Sequence, residues 1–480
     1  MNIAFTTLYR ENSSGGEARV TFELAEAFAR KNKVLLIRSG SSNRIWRKNP
    51  NLTHLEIKSF GNNDLAFPYL SVKNINYIFN HLSAFSPQVI HAHAPDPLSL
   101  TAQIWASLHH IPFFCTTHEM PTKRGDLGTK DISKTLAKII DSKPLQKFFF
   151  NFFKNCDAMI AQNQAVKDDI RDFGYKGQIF IIPNGRNLTL YSQCKMVRLS
   201  DKRKRLIFIG WIASHKNQQF LIEMMKALPP DFELYLVGKP YGSQYQRDLL
   251  RLIQHHHLSN VKLVGQIPCE KVPDYLEKSH FFVSASKMEI QSLAVIEALA
   301  SGTPVVGLSN ETVDELVDDS VGKKLPAKAS PQDLAQAVLK LSNLTQAEYE
   351  KLCRKARERV GKMDWTDVAD QTEKAYRQIM RRKSKFNEKV ARIEKSIDVF
   401  PDQPTRNFVL KYANRTLAKL KGGKGYQKLK VLSKKTRVPY LYLTIILLLT
   451  ITGGATFNVV HWLGKLRKKK TSKKIDVLRN

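Results

Sequence analysis

The 480-residue chain predicts an α/β protein of two doubly wound domains in tandem, with a helical, basic C-terminal extension. Three observations predict it. Short runs of β-branched and aromatic residues alternate with stretches whose apolar residues recur at helical spacing. That alternation begins twice, at Ile3 and again after a polar, basic joint at residues 195–205. An uncharged stretch, 438–464, stands between two strongly basic blocks.

The elements follow in order. Ile3-Ala4-Phe5-Thr6-Thr7 reads as the first strand, and a polar loop then reaches Gly15-Gly16. Val20, Leu24, Ala27 and Phe28 share one face of the next helix, and Val34-Leu35-Leu36-Ile37 forms the second strand. Further strands are expected at residues 88–91, 112–116, 158–161 and 179–182. Strands separated by helices in this way pair in parallel through right-handed crossovers. In the second half, strands are expected at 206–210, 233–238, 261–265 and 280–284, and at Thr303-Pro304-Val305-Val306-Gly307. Gly302 is placed to stop the short apolar helix that precedes the last of these. Two such domains leave a cleft between them, a natural ligand site. Residues 346–396 read as helical, and no short internal repeat is visible.

The net charge of +33 is unevenly spread. Residues 381–437 hold 18 Lys/Arg against 4 Asp/Glu, and residues 465–480 hold 8 against 1. Such blocks suit anionic lipid head groups or nucleic acid. The stretch between them decides for lipid: residues 438–464 carry no formal charge, and Tyr440, Tyr442 and Trp462 mark their ends. Roughly 20 apolar residues cross a bilayer as a helix, and aromatic residues favour its interfaces. Gly453-Gly454 leaves a second arrangement open, a hairpin that dips in and returns. No basic patch interleaved with aromatics appears, so nucleic acid is not an expected partner. The five cysteines are scattered, without Cys-x-x-Cys, which fits a reducing compartment and no zinc framework. No secretory signal is read at the N-terminus, so the bulk of the chain is expected on the cytosolic face of a membrane.

Glu289 and Glu297 stand eight residues apart, the first just after a buried strand and the second early in a short apolar helix. Both fall at the carboxyl edge of a parallel sheet, where open α/β folds bind ligands. Gly15-Gly16 sits at a helix entry, where backbone can approach an anion. Pro183-Asn184-Gly185, Thr116-Thr117-His118-Glu119 and Gly210 with Lys216 six residues on complete the set, with Met363-Asp364-Trp365 and Tyr376 in the final helix.

In this order the motifs resemble those of retaining glycosyltransferase family 4, across residues 1–380. The resemblance implies a GT-B fold: a Rossmann-like acceptor-side domain over 1–190 and a Rossmann-like donor-binding domain over 191–362. A helix over 363–384 then crosses back to the first domain, followed by a basic linker (385–437), a membrane segment (438–464) and a basic tail (465–480). It implies transfer of a sugar from a nucleoside-diphosphate sugar to an acceptor, with retention through front-face departure and attack. The implied catalytic residues are His118, Glu289 and Lys216. The implied donor-binding residues are Gly15, Gly16, Gly210, Lys216, Glu289, Ser292, Leu293 and Glu297, with Glu289 at the sugar and Glu297 at the ribose. A lipid-linked or glycan acceptor and anionic membrane lipids are the expected partners. No Asp-x-Asp occurs, so neither a metal nor another cofactor is expected.

The chain departs from the family pattern at several positions. Trp211 stands where the family has an arginine that meets the diphosphate. Three readings stay open there: another cation, such as His215 or Arg186, compensates; the donor binds differently; or the enzyme is weak or inactive. Asn187 replaces a usual Asp, and Ile290-Gln291-Ser292 replaces Gly-Phe-Gly, where branched Ile290 is expected to alter sugar selectivity. His91 and His93 are expected to line the cleft structurally, and His255-His256-His257 to be a solvated face. Glu311 and Glu315 follow the next strand, and the run from Glu315 to Gly322 matches a common family ending. A sugar-nucleotide epimerase of similar architecture and a membrane scaffold with a decayed site are the alternatives.

Overall fold

The computed structural model describes residues 1–11, 13, 15–61, 66–69, 71–123 and 143–394, with side chains through residue 383 except at 72 and 143–145. The expected linker past 394, the apolar segment 438–464 and the tail 465–480 lie outside the described residues. Among the described residues no helix is long and apolar enough to cross a membrane.

The first domain is a nine-stranded sheet. Its strands are β1 (Asn2–Thr7), β2 (Lys33–Gly40), β3 (Arg44–Asn49), β4 (Leu52–Gly61), β5 (Ala66–Pro68), β6 (Val89–Ala92), β7 (Phe113–Thr116), β8 (Ala158–Ala161) and β9 (Gln178–Ile181). They run in the order β3-β4-β2-β1-β6-β7-β8-β9, with β5 on β4. Helices α1 (Gly16–Ala29), α2 (Val72–Phe85), α3 (Pro97–Leu108), α4 (Lys143–Lys154) and α5 (Gln164–Asp172) accompany it, and the short α6 (Thr189–Ser192) follows in the interdomain link, its Tyr191 buried in the second domain's core. Both sheet faces are buried: Ala4, Leu35 and Ile37 join one core, Ile3, Phe5, Val34 and Leu36 the other. Near-continuous apolar runs, rather than alternating ones, are what such strands require.

Two strands of this sheet, β3 and β4, escape the hydrophobic pattern, and β5 is only three residues long. β3 is mostly exposed, and β4 buries His54 and Glu56. Glu56 is admitted because Arg38 (2.7 Å), Arg44 (2.8 Å) and the Trp46 indole (2.9 Å) all donate to it. A buried carboxylate is tolerated only with such partners. Two antiparallel pairings, β3 with β4 and β4 with β5, close this edge.

The second domain holds a six-stranded parallel sheet of β10 (Lys204–Ile209), β11 (Phe232–Val237), β12 (Val261–Gly265), β13 (Phe281–Ser284), β14 (Val305–Leu308) and β15 (Gly322–Leu325). Helices α7 (Gln218–Met225), α8 (Ser243–His255), α9 (Val272–Leu276), α10 (Leu293–Ser301), α11 (Glu311–Leu316), α12 (Pro331–Ser342) and α13 (Gln346–Arg359) cover it. Gly302 ends α10 in the left-handed conformation (φ 83°), the role its sequence position suggests. The order β12-β11-β10-β13-β14-β15 reverses direction between β10 and β13. That reversal is the topological switch point, where a crevice opens at the carboxyl ends of the strands.

The last described helix, α14 (Trp365–Glu394), returns to the first domain and continues past residue 384. Trp365 and Tyr376 are buried in the first domain's core beside Phe5 and Phe28. Gly185 lets the interdomain link lie flat on the Trp365 ring, since a Cβ there would stand 2.3 Å from it.

Candidate functional site

The loops that leave β10 and β13 face each other across the switch point. Lys216 Nζ lies 2.5 Å from Glu289 Oε1, and both side chains are mostly buried. The Lys287 amide donates to His215 O (2.9 Å), so the loops are also joined by backbone. The Glu289 amide donates to Glu311 (3.2 Å), and Thr312 accepts from the Ser292 amide (2.8 Å). α11 therefore fixes the course of the loop that carries Glu289.

Two helix N-termini converge on this place. Gly16 opens α1, and a Cβ on it would meet Leu293 Cδ1, at the start of α10, at 3.7 Å. Neither N-cap residue, Gly15 or Ser292, makes a side-chain capping hydrogen bond. Uncapped first-turn amides and the positive ends of both helix dipoles suit an anion. Gly15 is extended (φ −74°, ψ 146°), so no left-handed turn demands glycine there. What the two glycines supply is open backbone.

Glu297 sits one turn into α10, 2% exposed. Arg186 Nη2 holds it at 2.5 Å, and Arg186 Nη1 reaches Glu23 on α1 at 2.5 Å. Arg19 stands farther off, 3.5 Å from Glu297. Burial works against the Arg186 charge, but Glu297 and Glu23 hold its guanidinium firmly protonated. Arg186 thus fastens the two domains together and is neutralised within that joint. This removes it as the cation that compensates for Trp211, and it leaves Glu297 turned toward Arg186 rather than facing open crevice.

His118 follows β7 at the first domain's edge. Its Nε2 lies 3.1 Å from His93 Nδ1, and the two rings stack at 5.4 Å. His91 bridges Tyr376 OH (2.6 Å) and Thr116 Oγ1 (2.7 Å). Burial pushes the His118 imidazole down to about 3, and burial with His118 does the same to His91. All three rings are therefore neutral at physiological pH and serve as hydrogen-bond groups. His256, within the three-histidine run, reaches Glu223 at 3.3 Å on the surface of the second domain.

Two features of the site have only faint sequence signals. Glu17, immediately after the double glycine, accepts from Tyr9 OH (2.9 Å). Burial and Glu119 push its carboxyl up to about 8, and burial pushes Asp96 up to about 6. The second feature is the replacement at 290–291. The Asn184 amide donates to Gln291 Oε1 (2.6 Å), while Gln291 Nε2 donates to Glu315 (2.9 Å) and Gln162 O (3.3 Å). Asn163 Nδ2 donates to Ile290 O (2.6 Å), and the Ile290 side chain packs on the first domain's core. Ile290 and Gln291 thus clasp the donor-side loop to the opposite domain.

Comparison with known proteins gives the same architecture. Residues 14–190 match the family model described as Glycosyltransferase Family 4, and residues 203–343 match Glycosyl transferases group 1. The chain is 28% identical over 201 residues to an alpha-monoglucosyldiacylglycerol synthase of Streptococcus pneumoniae, covering 39% of this chain and 45% of that enzyme. It is 24% identical over 374 residues to a probable sucrose-phosphate synthase of Thermosipho melanesiensis, covering 72% of this chain and 86% of that one. Among solved structures, Anabaena Alr3699/HepE in complex with UDP and glucose superposes with a TM-score of 0.59 at 17% identity, covering 79% of this chain and all of that one.

Proposed function

The chain is a GT-B glycosyltransferase of family 4, and from that premise we propose that it moves a sugar from a nucleoside-diphosphate donor to a membrane-borne lipid or glycan acceptor. The observation that carries this reading is the convergence at the β10/β13 switch point of Lys216, Glu289 and the uncapped N-termini of α1 and α10. Fixed donors aimed at a developing negative charge are what a departing diphosphate requires. The glycosidic bond between the sugar's anomeric carbon and the diphosphate oxygen breaks as the acceptor oxygen bonds to the same face. The acceptor hydroxyl's proton passes to the departing diphosphate oxygen. Lys216 and the helix amides receive the charge, Glu289 orients the sugar, and neutral His118 hydrogen-bonds it from across the cleft. With no Asp-x-Asp in the chain, that charge is met without a divalent ion.

A lipid acceptor is supported by the pneumococcal relative, whose name gives its product as a glucosylated diacylglycerol. It is also supported by the sequence of 438–464 and its basic flanks, which suit an anchor at the cytosolic face among anionic lipids. UDP in the Anabaena complex makes a uridine donor the first to try. The test is a thermal-shift screen of nucleotide sugars, since a bound donor raises apparent stability by mass action. It is followed by turnover on diacylglycerol vesicles with excess chelator. A stabilising donor and a glycosylated lipid are expected. No stabilising donor sinks the transferase site, and activity lost to chelator but restored by Mg²⁺ or Mn²⁺ sinks the metal-free reading.

A further inference from the structure

We propose that Lys239, carried over the ring of Trp211, supplies the second cation to the donor diphosphate, taking over from the arginine whose position Trp211 fills. This rests on the transferase reading above and names how its site is completed. A nucleoside diphosphate leaves with more negative charge than one ammonium balances, and Lys216 already shares its charge with Glu289. Arg186 is closed off between Glu297 and Glu23, and Arg19 leans on the same two carboxylates. A further cation has to come from elsewhere on the carboxyl edge of the sheet.

The neighbouring strand provides it. β10 and β11 are parallel and adjacent, so both chains leave at the same edge. Their pairing continues beyond the strands: the Gly210 amide donates to Val237 O (3.0 Å), Ile212 to Lys239 O (2.9 Å), and Tyr241 to Ile212 O (3.1 Å). Such tight pairing demands Gly238, with φ 153°, where a Cβ would stand 1.8 Å from Gly210 O. Lys239 is thereby set beside Trp211. Its ammonium lies 5.5 Å from the centre of the indole ring, and Tyr241 meets that ring edge-on at 5.5 Å. Gln218 holds the Trp211 carbonyl at 2.7 Å. The indole cannot neutralise phosphate, but its face attracts and positions an ammonium. Trp211, at the start of the β10 loop that ends with Lys216, therefore acts as the spacer, and Lys239, on the adjacent β11 loop, as the charge.

The test uses full-length protein and calorimetric titration with UDP, GDP and ADP, each beside its monophosphate. If the wild type binds none of them, the donor site itself is overturned. For the nucleotide that binds, Lys239→Ala is expected to weaken the diphosphate about tenfold, as loss of a charge-assisted contact does. The monophosphate should change by less than about twofold, which also shows that the variant is folded. Adding Trp211→Arg to Lys239→Ala is expected to restore diphosphate affinity. Unchanged diphosphate affinity in Lys239→Ala, or equal loss for both nucleotides, overturns the proposal. If Trp211→Arg fails to restore affinity while the double variant still binds the monophosphate, the exchange of roles between the two positions is wrong.

Discussion

Gly16 separates what the site needs from what the fold needs. It is the first residue of α1, a Cβ there would find only an ordinary contact with Leu293, and its backbone is compatible with alanine. Gly16→Ala should therefore leave stability unchanged or raise it by up to about 1 kcal/mol. The same methyl group stands where the diphosphate is expected against the α1 amides, so affinity for the nucleoside diphosphate should fall about tenfold or more. Melting and titration of one variant check both halves, and retained affinity would remove the α1 N-terminus from the donor site. At this scale the sequence is informative where chemistry is local. Lys216 meets Glu289 within the second domain, and Gly16 faces Leu293 across the domains. Gln291 and Arg186 are opaque in sequence, because their partners Asn184, Gln162, Glu23 and Glu297 lie more than 100 residues away.

At the scale of elements, the same contrast separates the strands that were legible from those that were not. β1, β2, β10 and β13 are buried on both faces and read as apolar runs. β3 lies exposed at an edge, β4 hides its charges behind Arg38 and Arg44, and β15 places two lysines toward solvent. The strand ends of the first domain also carry a pH dependence. His91 and His118 titrate near 3 in the fold against 6.5 in an open chain, so the fold holds them neutral. Unfolded chains then bind more protons below pH 6.5, and stability falls as pH drops from 6.5 toward 3, by about 1.4 kcal/mol per pH unit per group. Glu17 and Asp96 act in the opposite sense, favouring the fold at low pH and losing that advantage as pH rises toward about 8 and 6. The histidine contribution is isolated by comparing wild type with His91→Asn. The stability gap between them should narrow on acidification from pH 6.5, and a gap independent of pH would contradict the buried neutral state.

The whole molecule depends on a joint in which every charge has a partner. Arg186 follows Pro183-Asn184-Gly185 in the interdomain link, and its amide and carbonyl pair with Met363 and Trp365 at the start of α14. Its guanidinium meets Glu297 of the second domain and Glu23 of the first, and the Trp365 indole donates to Glu23 as well (2.6 Å). Removing one partner from a buried ion pair is costly because the remaining charge stays desolvated. Among the described residues, Arg186→Met leaves Glu297, 2% exposed, with Arg19 at 3.5 Å as its remaining ion-pair partner, and should cost about 3–5 kcal/mol. If the loss comes from the stranded carboxylate, neutralising it should recover part of it, since an amide needs no counter-charge. The double variant Arg186→Met with Glu297→Gln is therefore expected to melt above Arg186→Met alone, though Glu297→Gln by itself lowers the melting point. Strictly additive losses would mean that Arg186 acts through the packing of its stem, and the two domains would then be joined by shape and by the Gln291 clasp rather than by charge.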